Sequence, residues 1–139
     1  FKLLQQAAKT SDPNGEKINI AVPTDNIPIF PIQVQSIRRA LINLFTNAIR
    51  YAGKANAQIQ IFDDHSEVII DDNGPGIPRD KRDEVVLPFT RLDNSRNNET
   101  GGNGLGLSIA KNSALNHGGE LILEDSPLGG LRVRLLLPL

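Results

Sequence analysis

Two periods of hydrophobic residues alternate along this chain and predict which segments form helices and which form strands. Ile18, Ile20 and Val22 are separated by polar residues, as in a strand that buries one face. From residue 32 to residue 52 the apolar positions recur with a helical period, which predicts an amphipathic helix. On the same grounds, helices are predicted over residues 1–9, 80–86 and 105–116, and further strands over residues 58–62, 67–70, 120–124 and 131–137.

Turn-forming residues separate these segments. Residues 11–15, Ser-Asp-Pro-Asn-Gly, end the first helix, and residues 63–66 connect two strands as a hairpin. Gly118 and Gly119 end the last helix, and residues 126–130 form a turn between the last two strands. Helices and strands are therefore interspersed, which predicts an α+β fold built in layers.

Two further connections have no hydrophobic period. Residues 23–31 contain three prolines and predict an irregular segment. Residues 87–102 are polar, with several Asp, Asn and Arg side chains. A connection of that length inside a compact domain is usually either functional or disordered.

The helix predicted over residues 32–52 has two chemically distinct faces. With Asn43 set at zero and about 100° per residue, the apolar side chains that fall between roughly 100° and 200° are those of Leu44, Ile37, Ala48, Leu41, Val34 and Phe45. Asn47, Tyr51 and Arg50 fall at roughly 40°, 80° and −20° by the same count. One face is thus predicted to enter the core, and the other gathers two amides and a guanidinium.

Composition narrows the classes of function. Fifteen Lys and Arg against 16 Asp and Glu give a net charge of −1, so no global field recruits nucleic acid or anionic lipid. The chain has no cysteine, which excludes disulfides, and with 2 histidines a dedicated zinc site is not expected. No apolar run approaches a length of about 18 residues, which a helix needs to cross a bilayer. The chain also has no methionine, which predicts that it is a fragment of a longer protein.

Residues 102–106, Gly-Asn-Gly-Leu-Gly, precede the last predicted helix. Free backbone N–H groups at a helix start attract phosphate, and glycines let the backbone approach it closely. No Gly-Lys-Ser/Thr follows as in a Walker A loop, and no strand runs directly into the motif as in a dinucleotide fingerprint. Taken alone, the motif is equally compatible with a loop that caps a helix.

Residues 72–78, Asp-Asn-Gly-Pro-Gly-Ile-Pro, follow directly on a predicted strand. Gly74 and Gly76 permit a tight turn with positive φ and leave room for a flat ligand. The carboxylate of Asp72 can accept a hydrogen bond from an exocyclic amine such as that of adenine. Taken alone, this motif is also compatible with an ordinary Asp-Gly turn.

Asn43 and Asn47 lie one turn apart on the polar face of the central helix. An amide oxygen is a suitable ligand for Mg²⁺, which takes further ligands from water and from substrate phosphates. Arg50 can meet phosphate oxygens, and Tyr51 can lie beside a base. A solvated helix face is the alternative for two isolated asparagines, but three such elements in this order favour one nucleotide site.

With these motifs the chain resembles the catalytic, ATP-binding domain of a bacterial two-component sensor histidine kinase, in the superfamily that includes gyrase B, heat-shock protein 90 and MutL. Residues 43–51 match the N box of that family, 72–76 the first glycine box, 88–91 the F box and 102–107 the second glycine box. The boxes occur in the family's order, and the resemblance covers essentially the whole chain. Two positions depart mildly: Pro31 stands where aspartate is common, and Asn103 where threonine or serine is frequent.

The resemblance implies a particular fold and division of the chain. The expected fold is a two-layer α/β sandwich, with a mixed and mostly antiparallel sheet packed on three main helices. A mobile ATP lid is expected over residues 87–104. Residues 10–139 would form the ATP-binding catalytic domain, and residues 1–9 would be the tail of the connection from the upstream dimerisation domain.

The resemblance also assigns roles to individual residues. Asn47 is the expected Mg²⁺ ligand with Asn43 assisting, Asp72 binds the adenine amine, and Arg50 and Arg91 face the phosphates. The implied catalytic residues are Asn43, Asn47, Arg50 and Arg91. The implied residues of the ATP site are Asn47, Arg50, Tyr51, Asp72, Gly74, Gly76, Ile77, Arg91, Gly102, Gly104, Leu105, Gly106 and Leu107.

One position separates the members of this superfamily. Gyrase B, heat-shock protein 90 and MutL carry a glutamate at the start of the N box, where this chain has Asn43. An amide cannot act as a general base at neutral pH. The resemblance therefore implies a protein histidine kinase that holds Mg-ATP and donates its γ-phosphate to a histidine outside this chain. Two alternatives stay open: an ATPase or chaperone-type relative, and a nucleotide-binding interaction module without catalysis.

The resemblance also implies partners that lie outside the chain. His65 falls in a predicted hairpin turn and His117 at a helix end, so neither is expected to be the phosphoacceptor. The expected partners are the dimerisation and phosphoacceptor domain of the same parent protein and a cognate response regulator, and no nucleic acid. The parent is expected to be a homodimer in the bacterial inner membrane, with this domain in the cytoplasm and monomeric as a fragment.

Overall fold

The computed structural model of the chain describes residues 1–21, 32–51, 53–86 and 106–139, with Tyr51 described by its backbone alone. The helices are α1 Lys2–Ser11, α2 Val34–Tyr51, a 3₁₀ turn at Arg79–Lys81 that runs into the short α3 Arg82–Val85, and α4 Gly106–Asn116. The strands are β1 Ile18–Ile20, β2 Ala55–Ile61, β3 His65–Asp72, β4 Glu120–Asp125 and β5 Leu131–Pro138. The predicted segments over residues 23–31 and 87–104 lie outside the described residues.

The strands form one five-stranded sheet in the order β1-β2-β3-β5-β4. Among the strands of the described residues, only β1 and β2 pair in parallel; β2 with β3, β3 with β5 and β5 with β4 are antiparallel. The hairpin predicted between residues 58 and 70 corresponds to β2 and β3, and the last two predicted strands correspond to β4 and β5. The predicted mixed and mostly antiparallel sheet is therefore confirmed.

The core lies between one face of this sheet and the helices α1, α2 and α4. Alternate residues of β5 point into it, because successive side chains of a strand face opposite sides. Leu131, Val133, Leu135 and Leu137 are buried in this way. The core-facing residues of α2 that are buried as its helical angles predict are Ile37, Leu41, Leu44, Phe45 and Ala48.

The first helix belongs to the same core. Leu4, Ala7 and Ala8 of α1 are 2%, 0% and 6% exposed, and α1 packs against α2. After α1, the carboxylate of Asp12 accepts hydrogen bonds from the backbone N–H groups of Ile18 and Lys17, at 2.9 and 2.8 Å. These two bonds lower the pKa of Asp12 below its usual value. They also connect the start of β1 to the residue that follows α1.

The opposite face of the sheet carries ion pairs over one buried apolar side chain. Ile69 is 2% exposed although it lies outside the main core, and Arg134 is its cross-strand neighbour. Arg134 donates to Glu67 at 3.1 Å and also to Glu124. Glu67 and Glu124 therefore share an arginine partner within the sheet itself.

Two local expectations differ from the structure. Val34 is predicted on the buried face of α2 but is 47% exposed, because it is the first residue of the helix and the buried section begins at Ile37. The hairpin turn is shorter than the predicted residues 63–66, since His65 and Ser66 already pair with β5 and Ser66 with Ile61. None of the helices in the described part of the chain has the length and apolarity needed to cross a membrane.

Candidate functional site

The polar face of α2 forms one wall of the candidate site. Asn43, Asn47 and Arg50 are all partly exposed, whereas the apolar residues of the other face are buried from Ile37 onward. Asn43 and Asn47 are one helical turn apart and therefore lie on the same face. The side chain of Tyr51 lies outside the described residues, although its backbone ends α2.

The start of α4 lies against this wall. A Cβ atom built on Gly106 would be 4.0 Å from Cβ of Asn43, so the first residue of α4 contacts the asparagine face of α2. Further along the same pair of helices, the hydroxyls of Ser36 and Ser113 are 2.6 Å apart. The fold therefore brings the N-box helix and the beginning of the glycine-rich helix together, as one nucleotide site requires.

A cap ends α4 far from the candidate site, and one of its residues contacts the segment just before α2. Gly118 has φ of 74°, and the N–H groups of Gly118 and Gly119 donate to Leu115 and Ala114, which is a Schellman cap. His117 lies within this cap. Its Nε2 accepts the N–H of Gln33 at 2.9 Å, and its Nδ1 is 2.7 Å from the carbonyl oxygen of Ser113.

Asp72 is a buried carboxylate at the end of β3. The residue is 7% exposed, and its Oδ1 accepts the backbone N–H groups of Gly74 and Leu131, both at 3.0 Å. Among the described residues, no hydrogen bond to Oδ2 is found. One oxygen of Asp72 is thus used to hold the turn, and the other is left as a hydrogen-bond acceptor.

Asn73 connects this turn to the end of α2. Its side-chain oxygen accepts the backbone N–H groups of Gly53 and Lys54, each at 3.1 Å. Its own N–H donates to the carbonyl oxygen of Lys54 at 3.3 Å. Since Tyr51 ends α2, these bonds place the turn after β3 beside the C-terminal end of the helix that carries Asn43, Asn47 and Arg50.

The glycines and apolar residues of the predicted site differ in what they contribute. Gly76 has φ of 73°, a conformation that favours glycine, whereas Gly74 is not among the described glycines with positive φ. The expectation of positive φ thus holds for Gly76 alone. Ile77 and Leu107 are 8% and 7% exposed and form part of the hydrophobic core that borders the site.

Arg82 of α3 holds the segment that follows Gly76. Its Nε donates to the carbonyl oxygen of Ile77 at 3.0 Å, and its guanidinium meets Asp125 Oδ1 at 2.5 Å. The side chain of Arg82 is 15% exposed. This arginine therefore joins the turn after β3 to the end of β4.

Several predicted site residues cannot be placed. Arg91, Gly102, Gly104 and Leu105 lie outside the described residues, and so does the side chain of Tyr51. Their roles stay predictions. The structure brings together Asn43 with Gly106, and Asp72 with the end of α2 through Asn73.

Sequence reasoning missed three residues that build this site: Leu131, Asn73 and Arg82. Asn73 lies inside a recognised motif, which draws attention to it, although its partners Gly53 and Lys54 are 20 and 19 residues away. Arg82 and Leu131 carry no comparable signal, because their partners are 5 and 59 residues away and depend on the fold.

Comparison with known sequences places the chain among nucleotide-binding proteins. A family profile described as histidine kinase-, DNA gyrase B- and HSP90-like ATPase matches residues 32–139. The sensor histidine kinase CpxA of Escherichia coli K12 is 34% identical over 139 residues, which is 99% of this chain and 30% of the relative. The sensor protein RstB of the same organism is 38% identical over 109 residues, 78% of this chain and 25% of the relative. The chain thus spans about a third or less of the length of these relatives.

Comparison with solved structures confirms the fold. The ATP-binding domain of PrrB from Mycobacterium tuberculosis matches with a TM-score of 0.77 and 29% identity, over 99% of this chain and 91% of that one. The histidine kinase domain of the E. coli osmosensor EnvZ matches with a TM-score of 0.73 and 30% identity, over 99% of this chain and 84% of that one. The α+β sandwich predicted from the sequence is therefore the fold of solved histidine kinase domains.

Proposed function

This chain belongs to the histidine kinase-, DNA gyrase B- and HSP90-like ATPase family, and we propose that it binds Mg-ATP and donates the γ-phosphate to a histidine on its parent sensor kinase. The observation that carries the proposal is that the start of α4 and the turn after β3 both meet the second half of α2. Gly106 lies against Asn43, and Asn73 ties the turn of Asp72 to the end of α2. The names of the relatives, which are sensor histidine kinases, support the same function.

Asp72 selects the base in this proposal. Its Oδ1 is occupied by two backbone donors, so Oδ2 accepts a hydrogen bond from the exocyclic amine of adenine. The low exposure of the residue, 7%, strengthens such a bond, because few water molecules compete for the oxygen. Gly76 shapes the pocket wall, and Tyr51 flanks the base.

The phosphates and the metal ion occupy the polar face of α2. The amide oxygens of Asn47 and Asn43 suit Mg²⁺, which prefers oxygen ligands and shares its coordination with phosphate and water. When bound, Mg²⁺ neutralises charge on the triphosphate. Arg50 and Arg91 contact phosphate oxygens, and the backbone around Gly102, Gly104, Leu105, Gly106 and Leu107 approaches the triphosphate.

The chemistry at Asn43 favours transfer over hydrolysis. An amide has no basic pair of electrons that could take a proton from water at neutral pH. Phosphoryl transfer requires mainly positioning and charge neutralisation, which asparagine, arginine and backbone N–H groups provide. The site is therefore suited to hold ATP until an external nucleophile arrives.

The two histidines of the chain are engaged in other contacts, which supports an acceptor elsewhere. The ring nitrogens of His65 lie 2.6 Å from Asp64 and 3.3 Å from Glu67. Those of His117 meet the Gln33 N–H and the Ser113 carbonyl oxygen. The acceptor then belongs to the dimerisation domain of a homodimeric parent, which passes the phosphate to a response regulator. We place the parent in the bacterial inner membrane with this domain in the cytoplasm.

The test measures where the phosphate goes. The chain is incubated with γ-labelled ATP and Mg²⁺, alone and with the separately prepared upstream domain of its parent. We expect label on the upstream domain, none on this chain, and little free phosphate from the chain alone. Fast release of free phosphate by the chain alone would instead favour an ATPase, and ATP binding without any transfer would favour a non-catalytic interaction module.

A further inference from the structure

The turn between β4 and β5 reaches the adenine side of the candidate site. The backbone N–H of Leu131, the first residue of β5, donates to Asp72 Oδ1 at 3.0 Å. The N–H of Gly74 donates to the same oxygen at 3.0 Å. The carboxylate of Asp72 is therefore oriented both by its own turn, through Gly74, and by the start of β5, which is 59 residues away at Leu131.

Gly130, the last residue of this turn, lies directly against Asp72. A Cβ atom at Gly130 would be 2.1 Å from Asp72 Oδ1, 2.6 Å from the Asp72 carbonyl oxygen and 2.7 Å from the Gly74 nitrogen. All three distances are shorter than any that a carbon atom tolerates. Two of the three atoms are backbone, so a side chain at position 130 would have to displace Asp72, the turn after it, or both.

Hydrogen bonds within the turn hold its own backbone together. Ser126 N–H donates to the Gly130 carbonyl oxygen at 2.8 Å, and Gly129 N–H donates to the Ser126 carbonyl oxygen at 3.0 Å. Asp125 is in turn held by Arg82, which also holds Ile77. Because the turn is fixed on both sides, a displacement at Gly130 is transmitted to Asp72.

We propose that Gly130 is a positioning residue that sets the base specificity of the nucleotide site. This inference rests on the proposed function of Asp72. The missing side chain lets the β4–β5 turn close onto Asp72, so that Oδ1 is saturated and Oδ2 is the one acceptor presented to the base. Adenine offers an amine at that position, whereas guanine offers a carbonyl oxygen, and two acceptors repel each other.

The experiment compares the affinities of Mg-ATP and Mg-GTP by calorimetry in the unchanged chain and in Gly130→Ala. We expect the ATP affinity to fall by about tenfold, since a hydrogen bond to a charged group is misaligned. The GTP affinity changes less, because guanine gains nothing from a correctly placed Asp72. The ratio of the two affinities therefore falls.

Gly119→Ala is the matched control. A Cβ atom at Gly119 would lie 1.8 Å from the carbonyl oxygen of Leu136, so this variant also introduces a clash with β5, but near the other end of the strand. We expect Gly119→Ala to lower stability and to keep the ratio of ATP to GTP affinity. A ratio that falls equally in both variants, or in neither, overturns the inference.

Two further measurements separate this inference from the proposed function. If Asp72→Asn leaves ATP affinity unchanged, the proposed function of Asp72 fails; if Asp72→Asn weakens ATP binding while Gly130→Ala keeps the ratio, only the role of Gly130 fails. If a glycine variant does not fold, amide NMR signals of the unchanged chain decide. ATP, but not GTP, should then shift the Leu131 and Gly74 signals more than that of Leu136, and equal shifts would overturn the inference.

Discussion

Asp72 shows how one side chain has two separate tasks. Its Oδ1 is needed by the fold, because it accepts the N–H groups of Gly74 and Leu131. Its Oδ2 is the oxygen that we assign to the base. A substitution that keeps the shape but changes the hydrogen-bonding pattern therefore tests the binding role with little loss of structure.

We predict that Asp72→Asn weakens Mg-ATP binding by more than about 1.4 kcal/mol, a tenfold change in Kd. An amide can turn its NH₂ group toward the amine of adenine, and two donors do not bond. Calorimetry measures the effect. Asp71→Asn is the control, since Asp71 faces the other side of the sheet, where it pairs with Arg132 at 2.8 Å.

We also predict that Asn47→Asp weakens Mg-ATP binding to the same extent. Its control is Asn56→Asp, because Asn56 is exposed. Unchanged affinity in both Asp72→Asn and Asn47→Asp would contradict the presence of the proposed site.

His65 is the residue for which the structure predicts a pH response. Its hydrogen bond with Asp64 raises the pKa of His65 above the usual 6.5, and the same bond lowers the pKa of Asp64. Phe62 stacks on the imidazole with ring centroids 4.7 Å apart. The ion pair of protonated His65 with Asp64 adds to the free energy of unfolding. This contribution is fully present below the ordinary histidine pKa and is lost as the pH rises through the raised pKa of His65. At acid pH the same contribution is lost as the pH falls through the lowered pKa of Asp64.

An NMR titration of the His65 ring checks this prediction. We expect a midpoint above 6.5 in the unchanged chain and a lower midpoint in Asp64→Asn. Asp63→Asn is the control, because Asp63 is exposed and adjacent to the same turn. Equal midpoints in the two variants would contradict the assigned pairing.

At the scale of the elements, α1 is the helix whose role the sequence leaves most open. Its amphipathic pattern predicts a helix but not the surface on which it packs. In the structure Leu4 is 2% exposed and Ala7 is 0% exposed, both in the core beside α2. Ser11 adds a polar contact, with its hydroxyl 3.3 Å from that of Thr46. The domain boundary between residues 9 and 10 stays a prediction.

The packing of α1 predicts that Leu4→Ala lowers the free energy of unfolding by about 2–5 kcal/mol, the range for a buried leucine cut back to alanine. Urea denaturation with and without the substitution measures the change. Lys2→Ala is the control on the same helix, since Lys2 is exposed. A change no larger than that of the control would mean that α1 is only a connection and not part of the folded domain.

At the scale of the whole molecule, the site exists only in the folded chain. Asn43, Asp72 and Gly106 come from α2, the end of β3 and the start of α4, and the unfolded chain holds them far apart. A ligand that binds only the folded state stabilises it by mass action. Nucleotide binding should therefore be visible as added stability.

We predict that Mg-ATP at a concentration of one hundred times its Kd stabilises the chain by about 2.7 kcal/mol. Thermal denaturation in the presence and absence of nucleotide measures this as a rise in Tm. Mg-GTP at the same concentration should raise Tm less, and Asp72→Asn should remove most of the rise with ATP. No rise in Tm with ATP would contradict the presence of a nucleotide site in the folded chain.

The order and type of the helices and strands were predictable from the sequence. Local periodicity and turn residues specify α2, the hairpin of β2 and β3, the glycine end of α4 and the last strand pair, because these depend on residues close in the chain. The exposure of Val34 was not predictable, because a helical angle does not tell where the neighbouring elements end. Gly74 and Gly76 were both expected to permit a turn with positive φ, and of these two only Gly76 adopts it.

By itself the sequence determined the elements of this chain and its family resemblance, and it predicted most of the side chains of the candidate nucleotide site. Only the tertiary structure decided that Leu131 holds Asp72 Oδ1, that Gly130 has no space for a side chain, and that Gly106 meets Asn43. The physical reason is that motifs are set by local chemistry along the chain. The contacts between motifs are set by the register of β3 with β5 and the packing of α4 on α2, and these require the whole fold.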